Sequence, residues 1–198
     1  MMKISILRII IYLVVMIGFC AETYAQDELY DYSEIQLVIL EKAKSVVTMA
    51  ARKSIVHAVE EHNSIGLVMD EILRRDKRWI SSHNTEEFKI KLQENRSGVI
   101  LKSMVLRNRA MYSEAFLTGN QGANVGAYPA TSDYWQGDED KFIIAFNKGN
   151  GRLLITPVEF DDSSGTYAAQ VAAPVVDDNG VTIGVLFVGI KLSYAKVK

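Results

Sequence analysis

Residues 132–142 read "SDYWQGDEDKF" and bring a tyrosine, a tryptophan, a glutamine, four acids and a lysine into eleven positions. Tyr134 and Trp135 are amphipathic rings that can line a small-molecule cavity while their polar tips bind the occupant. Lys141 sits near the start of a helical pattern, where the helix dipole disfavours a cation, so it is either solvated or kept for a carboxylate. Tyr128 and Thr131 extend this wall on its N-terminal side. In "TYAAQVAAPVV" strand alternation sets Tyr167, Ala169, Val171, Ala173 and Val175 on one face and Ala168, Gln170, Ala172 and Pro174 on the other. A glutamine between alanines leaves room above it for a small ligand. In "AMYSEAFL", Tyr112 and Glu114 alternate against Met111, Ser113 and Ala115, which directs Tyr112 to the same cavity. Arg107 and Arg109 lie just ahead, with forked donors suited to a carboxylate. Each residue has an ordinary structural reading, and Asp138, Glu139 and Asp140 read best as first-turn acids favoured by a helix dipole.

Other chemistries fit poorly. His57 and His62 are five apart, which does not place two ligands on one helix face, and His83 stands alone, so no metal site is expected. Ser163-Ser164-Gly165 lacks the strand–serine–helix context of a nucleophile elbow. "GNQGANVG" has no following helix with a lysine to cradle a phosphate. "DDSSG" and "DDNG" lack the alternating oxygen ligands and distal glutamate of a calcium loop. Neither an enzyme nor a cofactor is expected. The net charge of −2 offers no electrostatic footprint for nucleic acid.

The elements that must position this cluster fall into two halves. From Leu29 to about Asn63 there is neither proline nor glycine, and apolar residues recur every three or four positions, predicting one long amphipathic helix. "LVMDEILRRDKRWI" resumes the period after Gly66, and "NTEEFKIKLQEN" predicts a third helix capped by Asn84 or Thr85. Beyond these, "GVILKSMVL", "AMYSEAFL", "GRLLITPV", "TYAAQVAAPVV" and "VTIGVLFVGIKL" read as strands separated by turn signals. Asp177-Asp178-Asn179-Gly180 makes a hairpin connection between the last two. The expectation is an α+β fold, with a long N-terminal helix and further helices packed on a roughly five-stranded antiparallel sheet.

Upstream, Lys3 and Arg8, an apolar run from Ile9 to Cys20 and a polar exit at Ala25 predict a secretory signal over 1–25, leaving one domain over 26–198. The protein is then periplasmic or exported; an uncleaved helix would instead anchor it. If the signal leaves, Cys20 leaves with it, and no disulfide or thiolate chemistry remains.

The ordered set "SDYWQGDEDKF", "GNGRLLITPVEFDDSSGTY" and "AAQVAAPVVDDNGVTIGVLFVGIKL", preceded by a long helix, resembles the single Cache domain, or PDC sensor fold. That resemblance covers about residues 28–195. It implies a sheet of about five strands holding a small extracellular ligand, a carboxylate or amino acid, without altering it. It also implies a membrane receptor or kinase as partner, and the long helix could mediate a homodimer. The rival expectation is a structural or adaptor protein working through protein–protein contact.

Overall fold

The computed structural model describes residues 34–161 and 165–195; the expected signal over 1–25 lies outside them. Helix α1 runs to residue 50 and turns its buried Ile35, Ile39, Ala43, Val46 and Ala50 inward, a stripe with three- and four-residue steps. The single long helix expected to reach Asn63 is interrupted. Arg52 is extended (φ −68°, ψ 134°), and its carbonyl accepts from Ile55 and Val56 to start α2, Lys53–Ser64. No proline or glycine marks this break. Helices α3 (Met69–Ser81), α4 (Glu87–Glu94) and α5 (Arg96–Arg107) follow. Helix α4 is entered through Glu86 with no side-chain cap, so neither Asn84 nor Thr85 caps it.

Helix α5 corrects the strand reading of "GVILKSMVL". Its buried residues Ser97, Leu101 and Val105 recur every four positions, and Asn95 caps it by accepting from Gly98 N at 2.7 Å. The strands are β1 (Tyr112–Thr118), β2 (Asn124–Tyr128), β3 (Leu154–Ile155), β4 (Glu159–Asp161), β5 (Thr166–Val176) and β6 (Thr182–Lys191). Short helices α6 (Asp140–Phe146) and α7 (Leu192–Ala195) complete the described chain. All strand pairs are antiparallel, in the order β2-β1-β6-β5-β3, and β4 also pairs with β5. Strands β3 and β4 both lie against β5 on either side of Pro157, which has no N–H to donate to a ladder, so six strands occupy five columns.

Both sheet faces are covered. On one, Ala169, Val171, Ala173, Leu186, Val188 and Ile190 pack against α1, α2 and α5. On the other, Phe116 stacks on Phe187 at 4.5 Å, and Phe142 and Ala145 of α6 cover them. Burying an aromatic of this size contributes about 1.5–3 kcal/mol. The Asp177–Gly180 connection forms as the composition predicts: Gly180 N donates to Asp177 O at 3.0 Å, and Gly180 takes the positive φ of 81°. Hydrogen bonds from Val181 N and Asn179 hold the Asp177 carboxyl below its ordinary range.

Candidate functional site

Helix α6 covers only part of its sheet face, and beside it lies a cleft of about 820 Å³. Its floor is β5 and β1. Gln170 and Glu114 project from the same sheet face and meet across the intervening β6, where Gln170 Nε2 donates to Glu114 Oε1 at 2.5 Å, with Phe116 beside them. The backbone under Gln170 is clamped from the outer strand column: Gln170 N donates to Thr156 Oγ1, and Thr156 N donates to Gln170 O, each at 2.9 Å. Thr156, Pro157 and Glu159 form the outer wall. Opposite stand Thr131, Gln136 and the turn into α6 with Asp138, Glu139, Asp140 and Lys141. Thr131 Oγ1 donates to Asp133 O (2.6 Å) and accepts from Asn124 Nδ2 (2.8 Å), while Gln136 Nε2 reaches the same Asp133 carbonyl (3.2 Å). Lys141 lies half-exposed, its ammonium 5.5 Å from the Phe116 ring centre.

Of the nine residues singled out from the sequence, Thr131, Lys141 and Gln170 line this cleft, and six lie elsewhere. A bulge in β1 between Tyr112 and Ala115 shifts the alternation by one position. Glu114 therefore stays on the cleft face, while Tyr112 turns to the helix-covered core. Burial there raises the Tyr112 hydroxyl above its usual pKa. Tyr128, at the end of β2, packs on that same helix side under the Lys102 ammonium. Arg107 ends α5 over the helix side, and Arg109 is exposed in the turn before β1, its carbonyl accepting from Lys191 Nζ.

Tyr134 and Trp135 turn away from the cleft because Asp76 of α3 pulls their backbone inward. Asp76 Oδ1 accepts from Tyr134 N at 2.9 Å and from Trp135 N at 3.0 Å. Tyr134 then packs with Trp79 and Ile72, and Trp135 Nε1 donates to Gln121 O at 2.7 Å. Burial raises the Tyr134 hydroxyl, partly offset by the Arg75 guanidinium beside it. The opening stretch is thus a partition whose rings face the α3 side and whose acids and Lys141 face the sheet.

Glu114, Gln136, Thr156 and Glu159 are the cleft residues that sequence reasoning missed. The available signal was Glu114, a carboxylate inside a strand that is buried over all seven residues, an uncommon place for one. Around the cleft, five carboxylates (Glu114, Asp138, Glu139, Asp140, Glu159) face one ammonium, Lys141, among the described residues. Such a site favours an occupant that brings positive charge of its own. No trio of histidine, cysteine or acidic side chains able to hold a metal occurs among the described residues.

No family model and no curated protein matches the sequence. Solved structures do match. The sensor domain of the histidine kinase DctB from V. cholerae superposes with a TM-score of 0.53 at 14% identity, over 90% of this chain and 58% of that one. The chain therefore spans a little over half the length of that domain. The E. coli DcuS sensor domain matches at TM-score 0.45 and 20% identity, covering 79% of this chain and 91% of that one. The sensory domain of the Campylobacter jejuni chemoreceptor Tlp3, with isoleucine bound, matches at TM-score 0.39 and 20% identity, covering 84% and 66%. With the main helices on one face of an antiparallel sheet and α6 beside a cleft on the other, the chain has an α+β fold of the Cache/PDC type.

Proposed function

We propose that the chain is an extracytoplasmic sensing module that binds a small organic acid in the sheet cleft without transforming it, and that this acid is zwitterionic, as an amino acid is. The observation that carries the reading is the charge around the cleft, five carboxylates against Lys141 among the described residues. A bare carboxylate would meet one attractive charge and several repulsive ones, whereas an ammonium and a carboxylate on one ligand satisfy both signs. In this arrangement Lys141 takes the ligand carboxylate, Glu114 and the acids before α6 face the ammonium, and Gln170, Thr131 and Gln136 supply neutral hydrogen bonds. The Tlp3 domain with isoleucine bound is a case of a sensory domain holding such a molecule.

Binding would draw the acidic segment 136–141 onto the sheet, and the bonds from Asp76 to Tyr134 and Trp135 would carry that movement into α3. From there a membrane receptor or kinase partner reads it. The basic and apolar start of the chain supports export, and among the described residues no helix is long and apolar enough to cross a membrane. A thermal-shift panel of amino acids, monocarboxylates and dicarboxylates tests the reading, because a ligand of the native state must raise the melting temperature. At least one amino acid should stabilise the protein more than its deaminated analogue. A panel in which only non-amino dicarboxylates stabilise would overturn the zwitterion. A panel without any stabilising compound would favour the rival reading, an adaptor working through protein contact.

A further inference from the structure

On the other side of the 131–136 partition lies a second cleft, of about 630 Å³, between α3, α4 and β2. Its charge is the reverse of the first. Arg74, Arg75 and Arg78 of α3 line it, against one carboxylate, Glu71. Glu71 is already engaged by Arg74 Nε (2.8 Å) and Arg75 Nε (2.7 Å), and these contacts hold its carboxyl below the ordinary range. A guanidinium carries five donors in a planar fork, so both arginines keep N–H groups beyond that pair. Arg78 makes no ion pair among the described residues; its guanidinium lies 4.6 Å from the Phe88 ring centre, which leaves its edge for a ligand. The inner wall is aromatic and rigid: Trp79 meets Phe88 edge-on at 5.4 Å and Tyr134 at 6.0 Å.

A second, independent feature lies at the back of this cleft. Asn124 lines it, is 1% exposed, and its Nδ2 donates to Thr131 Oγ1 (2.8 Å) and Asp133 O (3.0 Å). Those bonds fix the amide orientation, and Asn124 Oδ1 is left buried with no hydrogen-bond partner among the described residues. A buried acceptor without a donor costs about 1–3 kcal/mol, so such an atom calls for a donor from outside the fold. The cleft therefore offers positive charge and one unmet acceptor together. Sulfate at neutral pH satisfies the first alone; inorganic phosphate, which keeps a hydrogen at that pH, satisfies both.

We propose that this second cleft is a site for inorganic phosphate, in which Arg74, Arg75 and Arg78 hold the anionic oxygens and Asn124 Oδ1 accepts the hydrogen that the free ion retains at neutral pH. The sheet cleft and this one share the 131–136 partition but bind ligands of different charge. Failure here leaves the amino-acid reading intact, since neither Lys141 nor Gln170 touches this cleft.

The test titrates the full chain with inorganic phosphate and with sulfate at matched ionic strength, following tryptophan fluorescence and heat. Phosphate should bind saturably and perturb Trp79, and sulfate should bind at least about tenfold more weakly, the ratio expected for one hydrogen bond of about 1.4 kcal/mol. Arg78 is exposed, so Arg78→Gln should keep the native circular dichroism and melting temperature while weakening phosphate about tenfold or more. Phosphoserine checks the retained hydrogen: at neutral pH its phosphate is mostly the dianion without one, so it should bind more weakly than inorganic phosphate, and equal or tighter binding would overturn the role of Asn124. Absence of saturable phosphate binding at millimolar concentration, equal affinity for sulfate, or an unchanged affinity in Arg78→Gln would each overturn the proposal.

Discussion

Replacing Lys141 with methionine removes the only ammonium of the sheet cleft among its described residues while keeping an apolar stem against the Phe116 ring, 5.5 Å from the present charge. A charge-assisted hydrogen bond is worth about 1.5–3 kcal/mol. Lys141 is half-exposed, so water competes and the lower end applies: about 1.5 kcal/mol, or roughly twelvefold in affinity. The cleft carboxylates are the same in parent and variant, so the difference reads the Lys141 contact itself. Calorimetry with the amino acid that most raises the melting temperature measures the change, and the corresponding amine, lacking the carboxylate, should lose nothing. Arg107→Met and Arg109→Met serve as controls, because both residues lie away from the cleft. If Lys141→Met binds as tightly as the parent, the ligand carboxylate is not held there. If Arg107→Met alone weakens binding, the ligand occupies the helix-covered side and the site is misplaced altogether.

Burial and the nearby Arg75 charge hold His62 below its ordinary value near 6.5, so folding favours the neutral imidazole. Its contribution is fully present above that value and is lost as pH falls below it, because the unfolded chain then binds the extra proton. Urea midpoints measured between neutral and mildly acidic pH should fall more steeply for the parent than for His62→Gln. Asn95→Ala removes the α5 cap and the bond from Asn95 Nδ2 to Val125 O (2.8 Å), although Ser97 Oγ still serves that carbonyl. The expected loss is about 2 kcal/mol by chemical denaturation, one for the cap and one for the buried bond. Gly184→Ala would place a methyl 2.1 Å from Thr118 O and 2.9 Å from Val59 Cγ1, neither of which can swing aside, and should destabilise by about 1–3 kcal/mol or more. An unchanged melting temperature in Gly184→Ala would mean that β1 and β6 are less closely paired at this point than described.

The two longest strands were legible because their residues alternate against two buried faces, and the observed bounds of β5 coincide with "TYAAQVAAPVV". Helix α5 was misread: "GVILKSMVL" is apolar enough for a strand, and its deciding feature, an asparagine cap with four-residue spacing of buried positions, is a weak pattern without the packing partner. Strand β2 carries little local signal, because "NVGAY" follows a glycine-rich turn and is short. Alternation puts Gln170 on the cleft face, where it lies, whereas the same rule applied to Tyr112 is reversed by one inserted position in β1, which has no mark in the residues themselves. Tyr134 and Trp135 were drawn off by Asp76, a contact 58 and 59 residues away that no local pattern announces.

The treatment of the two sheet edges limits how another protein can seize this domain. An open edge strand invites a guest strand, whose backbone simply continues the ladder. On β2, Val125 O is already taken by Asn95 Nδ2 and Ser97 Oγ, Ala123 is bridged to Trp135, and the start of α5 lies so close that a Cβ on Gly126 would fall 2.5 Å from Ser97 Oγ. The far edge is cut into runs of two and three residues by the segment around Pro157. Among the described residues neither rim offers a continuous row of free N–H and C=O groups. A partner that threads an extended peptide onto the sheet would find no place to start, and recruitment must go through side-chain surfaces such as the exposed Leu37, Leu40 and Val47 of α1.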